Sequence, residues 1–441
     1  PTGRLAAMSL GLVGALLVLI TALGPVLHKS MGGMAHWAVV AATAAGAAWA
    51  TFASERCDQR QALCIIAVVA VAMRALQLTI DPYLSDDVYR YVWDGRVQAA
   101  GINPYRHIPA SPELAHLRDA AIYPHINRAD YAPTIYPPMA QVFYFVVTRF
   151  GESVALMKLA LVACEGIAIA ATLGLLARLS LPATRIVAFA WHPLAVWEIA
   201  GSGHVDALMV AGVMTAMLLF ALGRPRVAGV IATAAALVKP TALLVLPVLW
   251  RPWSLVLPAL VVATIGAFYL PYISVGWQVL GFLPGYVAEE GLGQSYGFRY
   301  LALIDNLIVK VPHGASIYVA FFGATMLSLA LAASFRRDRS PAASLRSLAV
   351  LLTMFLVLLT PHYPWYYLVL VPLLAFYPWS WTLWLLTVGG MQIYQVIPDD
   401  PLPDYFTRQY VFVFAVLIAM VRDVMRVRRE PSLTQLGATR T

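Results

Sequence analysis

Residues 81–134 hold Asp81, Asp86, Asp87, Asp94, Glu113, Asp119 and Asp130, seven of the chain's 22 acidic residues, together with three of its nine histidines. Apolar sequence flanks them on both sides. The preceding apolar run ends at Ile80, and the adjacent carboxylates Asp86 and Asp87 follow six residues later. Two neighbouring carboxylates just outside a bilayer, followed by aromatics and arginines, suit transfer of a group to a hydroxyl. One carboxylate can orient the nucleophile and take its proton. Arg, Lys or a helix N-terminus can stabilise a departing phosphate. A lipid-linked substrate fits this layout, with its apolar end in the bilayer and its polar end at the acids. The residue types leave a divalent metal bridging the pair open, although three scattered histidines do not make a ligand set.

The acids need an element to hold them. Ser85 can cap a helix running from Asp86 to about Ala100, and Gly101 followed by Asn103-Pro104 supplies its stop. On such a helix Asp87, Tyr91, Asp94 and Gln98 share a face, while Arg90 and Arg96 point elsewhere. The bland alternative is a well-capped interfacial helix with solvated charges, its first-turn acids favoured by the helix dipole.

The rest of the chain is oil. It has 441 residues, 61% of them hydrophobic and 12% charged, with a mean hydropathy of +0.74. A soluble domain carries about 25% charge. The expectation is an all-α polytopic membrane protein of about twelve transmembrane helices with interfacial helices in the large outer loops. Apolar runs place spans near 5–27, 36–53, 62–80, 153–177, 185–200, 205–222, 253–273, 314–335, 345–360, 365–378, 380–398 and 409–427. The N-terminal run has no Ala-x-Ala cleavage site and reads as a retained span. Cys57, Cys64 and Cys164 give no disulfide framework, and the last two read as core thiols.

The net charge of +8 is a topology signal and not a nucleic-acid one. Arg56 and Arg60, Arg178 and Arg185, Arg224 and Arg226, Arg336 to Arg346, and Arg426 to Arg429 all fall on one side if both termini are cytoplasmic. That puts 81–134, 274–313 and 399–408 outside. Residues 227–250 are long enough to cross, yet Arg224 and Arg251 want the same side. A re-entrant hairpin with Lys239-Pro240 at its tip resolves the conflict. Residues 135–150 read as a helix on the outer surface. The organisation expected is one membrane domain over 1–430, with 81–150 and 274–313 as outer loops and 431–441 as a disordered tail.

The segment SDDVYRYVWDGRVQAAGINPY, followed by YAPTIYPP, resembles the first outer loop of GT-C glycosyltransferases, multi-span enzymes that use polyprenyl-phosphate sugars. The resemblance is closest to bacterial polyprenol-phosphate-mannose-dependent alpha-mannosyltransferases and looser to the eukaryotic GPI mannosyltransferase. In such enzymes an Asp early in this loop is the base, with an aromatic four residues later and an Arg nine residues later. Counting from Asp87 gives Tyr91 and Arg96; counting from Asp86 gives Arg90 and Gly95, a poorer match. WHPLAVWEIAGSGHVDALMV, AALVKPTALLVLPVLW and PHYPWYYLVLVPLLAF resemble further family segments in matching order. The departure is the pair of spans before the acidic loop, where the family usually has one.

The resemblance implies transfer of a sugar, mannose foremost, from a polyprenyl phosphate to a hydroxyl of a glycan or lipid acceptor. It implies inversion, at the extracytoplasmic face of a bacterial inner membrane. Asp87 would be the base with Asp86 beside it, and Tyr91, Arg96 and Tyr136 would be substrate contacts. His204 and Asp206 read either as a polar helix terminus or as part of a substrate cavity. Lys239 is either structural or a contact for the lipid phosphate. His362, Tyr363, Trp365, Tyr366 and Tyr367 form either an aromatic belt or a sugar-stacking platform. Arg299 either holds the donor phosphate in a bidentate contact or sits at the interface, and Glu289-Glu290 reads as solvated. A flippase for a lipid-linked substrate is the competing class. Transporters tend towards internal repeats and midplane charges, neither of which is evident, so the enzyme is favoured.

Overall fold

The computed structural model describes residues 2–294, 297–391 and 405–430. Among these every regular element is helical, and the chain is an all-α membrane protein. Six helices have the length and hydropathy to cross a bilayer. Six more apolar helices are shorter, at 10–17 residues, less than the roughly 20 that a hydrocarbon core of about 30 Å requires. The count of twelve full spans is therefore not reproduced by these lengths.

Helix α1 (Thr2–Ser54) runs through both of the first two expected spans. It doubles back on itself. A Cβ added to Gly46 would lie 2.9 Å from the Leu17 side chain, whereas a straight helix at about 1.5 Å per residue would set them roughly 43 Å apart. Next come α2 (Gln59–Leu78), whose first turn is capped by Asp58, and α3 (Asp87–Ala99) with α4 (Pro138–Thr148) in the acidic segment. Helix α5 (Val154–Arg178) follows, capped by Ser153. The expected span at 185–200 is broken into short pieces that end in a π-helical turn, Val196–Gly201.

Helices α6 (Asp206–Ala221) and α7 (Pro225–Ala236) come next, then a 3₁₀ turn Pro240–Val245 and a last turn Leu246–Leu249. Lys239 falls between two apolar pieces each too short to span, Pro225–Ala236 and Pro240–Leu249. Helices α8 (Val256–Tyr269), α9 (Gly314–Phe335) and α10 (Pro341–Leu359) lead to a 3₁₀ run Pro364–Ala375. Helices α11 (Trp381–Gly389) and α12 (Tyr405–Arg429) close the chain. The end of the expected 380–398 span, most of the 399–408 loop and the 431–441 tail lie outside the described residues.

Helix α9 leaves Ile317, Phe321, Leu327 and Leu331 exposed. Contiguous apolar surface of this kind is a liability in water and is what a bilayer covers. Cys164 is buried as expected, but Cys64 is exposed, on the outward face of α2. At membrane depth Arg74 of α2 meets both carboxylate oxygens of Glu165 of α5, at 3.1 and 2.6 Å. A paired charge of this kind ties the two helices together.

The arginine-bearing loops gather at one end. Arg185 pairs with Glu55 at 2.6 Å, Arg178 donates to the Ala221 carbonyl, and Arg336 and Arg339 donate to the carbonyls of Val248 and Trp250. The acidic segment lies at the other end. Its entry is fixed by Lys158 of α5, whose buried ammonium donates to the carbonyls of Gln77 (2.8 Å) and Ile80 (2.7 Å) and so closes the C-terminus of α2.

Candidate functional site

Helix α3 stops where the sequence says it should. Gly101 takes φ +75, the Gly101 N–H donates to Gln98 O and the Ile102 N–H to Val97 O. This is a Schellman termination, which needs a left-handed residue. At the other end Asp86 occupies the N-cap position and Ser85 Oγ accepts from Asp87 N at 3.4 Å. Helix α3 packs against α4, with Tyr91 stacked on Tyr144 (centroids 4.6 Å apart) and Gln98 bonded to Gln141 at 3.0 Å. Asp94 is wholly enclosed, accepting from Arg90 (2.9 Å), Thr134 (2.5 Å) and Gln141 (2.9 Å). It is therefore a structural acid, with no free face for a substrate.

The two leading acids differ in environment. Asp86 is exposed, whereas the Asp87 side chain is 17% exposed. Both line a cavity of about 580 Å³, a volume in the ordinary ligand-pocket range of roughly 300–1,000 Å³. The Asn127 amide bridges them, donating to Asp87 Oδ1 at 2.8 Å and reaching Asp86 Oδ1 at 3.2 Å. Burial pushes the Asp87 carboxyl up from the ordinary carboxylate range, against the opposing pull of the Asn127 hydrogen bond and the Lys239 charge. A carboxylate raised in this way is a better proton acceptor near neutral pH.

Arg128 follows Asn127 with φ 55, a left-handed conformation that a non-glycine residue rarely takes. Its guanidinium lines the same cavity and donates to Glu289 at 2.8 Å. Tyr131 donates to the other Glu289 oxygen, and Glu290 lies 3.0 Å from His362 Nδ1. Glu289 and Glu290, expected to be solvated, instead join their segment to Arg128 and Tyr131 and to His362 at the start of the 364–375 turn.

The polar and charged residues lining the cavity include Asp86, Asp87, Arg90, Asn127, Arg128 and Lys239. Apolar side chains line it as well, among them Ile135, Leu280, Leu283, Val287, Phe355 and Leu359. Tyr136, Tyr363, Trp365 and Tyr366 complete the lining. Tyr363 stacks on Trp365 (4.5 Å), and Trp365 stacks on His204 (4.0 Å). Lys239 makes a 2.6 Å ion pair with Asp206, sits 4.9 Å from the centre of the Tyr366 ring and is 14% exposed on the cavity.

Of the residues singled out from sequence, Asp86, Asp87, Tyr136, Lys239, Tyr363 and Trp365 line this cavity. Tyr91, His204 and Asp206 are fully buried directly behind it. Three stand apart. Arg96 pairs with Asp119 and Glu152, each at 2.7 Å. Nine residues at 3.6 per turn place it about 180° round the helix from Asp87. Arg90, three residues on, is only about 60° away by the same arithmetic and does reach the cavity wall. Arg299 is buried, donating to the Pro361 carbonyl and facing the Phe412 ring. His362 is held by Glu290, beside the cavity and not in its wall.

Sequence reasoning missed Asn127, Arg128, Tyr286 and Glu198. Among the described residues no three His, Cys, Asp or Glu side chains converge as metal ligands. The Asn127 amide already bridges the acid pair.

A buried carboxylate, flanking cations and a half-apolar cavity at one end of a membrane bundle define a membrane enzyme of group transfer. Residues 5–254 match the model of the MptA/B family, described as alpha-(1->6)-mannopyranosyltransferase, N-terminal domain. The match covers more than half of the chain, which belongs to this family and is a membrane mannosyltransferase. No curated protein and no solved structure matches the chain. The matched stretch contains Asp86, Asp87, His204, Asp206 and Lys239. The aromatic wall from Tyr363 to Tyr366 lies beyond it.

Proposed function

We propose that the protein moves a mannosyl group from a polyprenyl-phosphate donor to a hydroxyl of a mannose-bearing acceptor. The new bond is α(1→6), formed with inversion on the extracytoplasmic face of a bacterial inner membrane by an enzyme of the GT-C type. The observation that carries this reading is the mixed lining of the cavity, which joins Asp87, Arg128 and Lys239 to many apolar side chains that suit a lipid tail. Neither a soluble nucleotide sugar nor a free sugar requires so much apolar lining.

The acceptor oxygen attacks the mannosyl C1 while the bond from C1 to the phosphate oxygen breaks. Asp87 takes the hydroxyl proton, and the polyprenyl phosphate leaves with the bonding electron pair. Asn127 holds the carboxylate in place. Arg128 and Lys239 supply positive charge where the phosphate develops its own. Tyr363 and Trp365 offer a stacked aromatic face to a sugar ring.

The test is made in nanodiscs with polyprenyl-phosphate mannose, radiolabelled in the sugar, and a synthetic mannoside acceptor. Stoichiometric appearance of free polyprenyl phosphate and an α(1→6) disaccharide is the expected result. Movement of intact donor between leaflets with neither product would establish a flippase instead.

A further inference from the structure

His204 presents an anomaly that substrate contact does not explain. Its side chain is fully buried, yet neither ring nitrogen completes a hydrogen bond. Buried polar groups are nearly always satisfied, and an exception calls for a reason. The ring lies between two carboxylates: Nδ1 is 3.8 Å from Asp87 Oδ2 and Nε2 is 3.2 Å from Glu198 Oε2. Its plane is fixed by stacking on Trp365 at 4.0 Å.

The backbone is shaped around this placement. Glu198 sits in the π-helical turn Val196–Gly201, and such turns occur mostly where a site demands them. The His204 N–H donates to the Glu198 carbonyl at 2.8 Å, closing the loop that brings the two side chains together. Gly203 has φ +75, and a Cβ there would press on Lys158 Cγ and Val88 Cγ2, both at 3.0 Å. The left-handed backbone and the tight contacts both favour glycine at this position. Glu198 has no exposed surface, and a carboxylate in an apolar run is costly unless it has a task.

We propose that Glu198 and His204 form a proton relay behind Asp87. Resting on the transferase reading above, it works as follows. Asp87 accepts the proton of the acceptor hydroxyl and passes it to His204 Nδ1. His204 releases the proton on Nε2 to Glu198, so the imidazole stays neutral overall and changes tautomer. The negative charge of the site thus returns to Asp87, facing the departing product, while the proton rests on a side chain that water does not reach. After product release the sequence runs backwards and Asp87 yields the proton to solvent. The 3.8 Å gap to Nδ1 is a resting distance, and catalytic contacts of this kind tighten in the substrate complex. The other titratable groups near the ring are Lys239 with its partner Asp206, Asp86, and the Tyr91 and Tyr136 phenols. Tyr83 lies within range of the Glu198 charge.

Glu198 and His204 are positioning residues in this account, so the test separates kcat from KM. Glu198→Gln and His204→Gln, which keep side-chain size, are compared with wild type and Asp87→Asn in the same nanodisc assay. The relay predicts a kcat loss of about tenfold or more in each Gln variant, a fraction of the range for general-base catalysis, with both KM values unchanged. It also predicts an acid limb of the kcat–pH profile moved to lower pH in Glu198→Gln, because a negative neighbour is gone. A Glu198→Asp variant should recover part of kcat. Wild-type kcat in both Gln variants alongside an inactive Asp87→Asn would overturn the relay and leave the transferase reading standing. A fully active Asp87→Asn would overturn both.

Discussion

The Lys239–Asp206 pair makes a prediction that a single substitution would obscure. The ammonium and carboxylate are 2.6 Å apart, with 14% and 1% of their side chains exposed. Two unit charges at that separation attract by about 6 kcal/mol at an effective dielectric of about 20. Removing one partner of a buried pair typically costs about 3–5 kcal/mol, because the other charge is stranded. Lys239→Met should therefore lower the melting temperature in detergent by about 3–5 °C, taking roughly 2.1 cal/mol/K of unfolding entropy per residue. That loss says nothing about the donor. Lys239→Met/Asp206→Asn removes both charges and should recover most of the stability. If the Lys239 ammonium also reaches the donor phosphate, the double variant still lacks a charge-assisted hydrogen bond worth about 1.5–3 kcal/mol, a roughly 10- to 150-fold rise in donor KM. The assay is the apparent KM for polyprenyl-phosphate mannose beside a thermal melt of the same preparation. A double variant with restored stability and wild-type KM would refute the phosphate contact and leave Lys239 a structural cation. Lys239→Arg should keep part of the function, since a planar fork replaces a point charge imperfectly.

Asp87 is raised by burial, so the acid limb of kcat should lie above the ordinary carboxylate range. Asn127→Ala, which removes a hydrogen bond that favours the charged form, should move that limb higher still; a limb that stays put would remove Asn127 from the site. Arg74→Met or Glu165→Gln should cost about 3–5 kcal/mol by stranding a buried charge, and a double apolar replacement should melt close to wild type. Single cysteines at Ser111 and Asp338, in a background without Cys57, Cys64 and Cys164, should label from opposite sides, Ser111 from outside. Labelling of both from one side would sink the proposed topology.

Apolar run length read most of the long helices well, because burying backbone in lipid demands continuous helix. It failed at 185–200, where Pro193 and the π turn break the helix to aim Glu198 and His204. The stop of α3 was legible since Gly101 and Pro104 act locally. Arg96 came from a family spacing, and nine residues on a helix reach the opposite face, so that spacing and the helix geometry pull apart here. Asn127 and Arg128 lie in an irregular loop without periodicity, and only the fold brings them 40 positions back to the acids. Glu289 and Glu290 looked solvated because their partners Arg128 and His362 lie 161 and 72 positions away in sequence. Glu198 alone carried a signal that was overlooked: an acidic residue inside an apolar run.

The role of Asp87 is tested most directly by Asp87→Asn beside Asp86→Asn, each purified to the same folded yield and assayed for mannosyl transfer. The exposed acid at position 86 should be the lesser loss. The half-buried acid at position 87 should cost about 10²-fold or more in kcat, the scale of a general base, with donor binding retained. Turnover near wild type in Asp87→Asn would contradict the account.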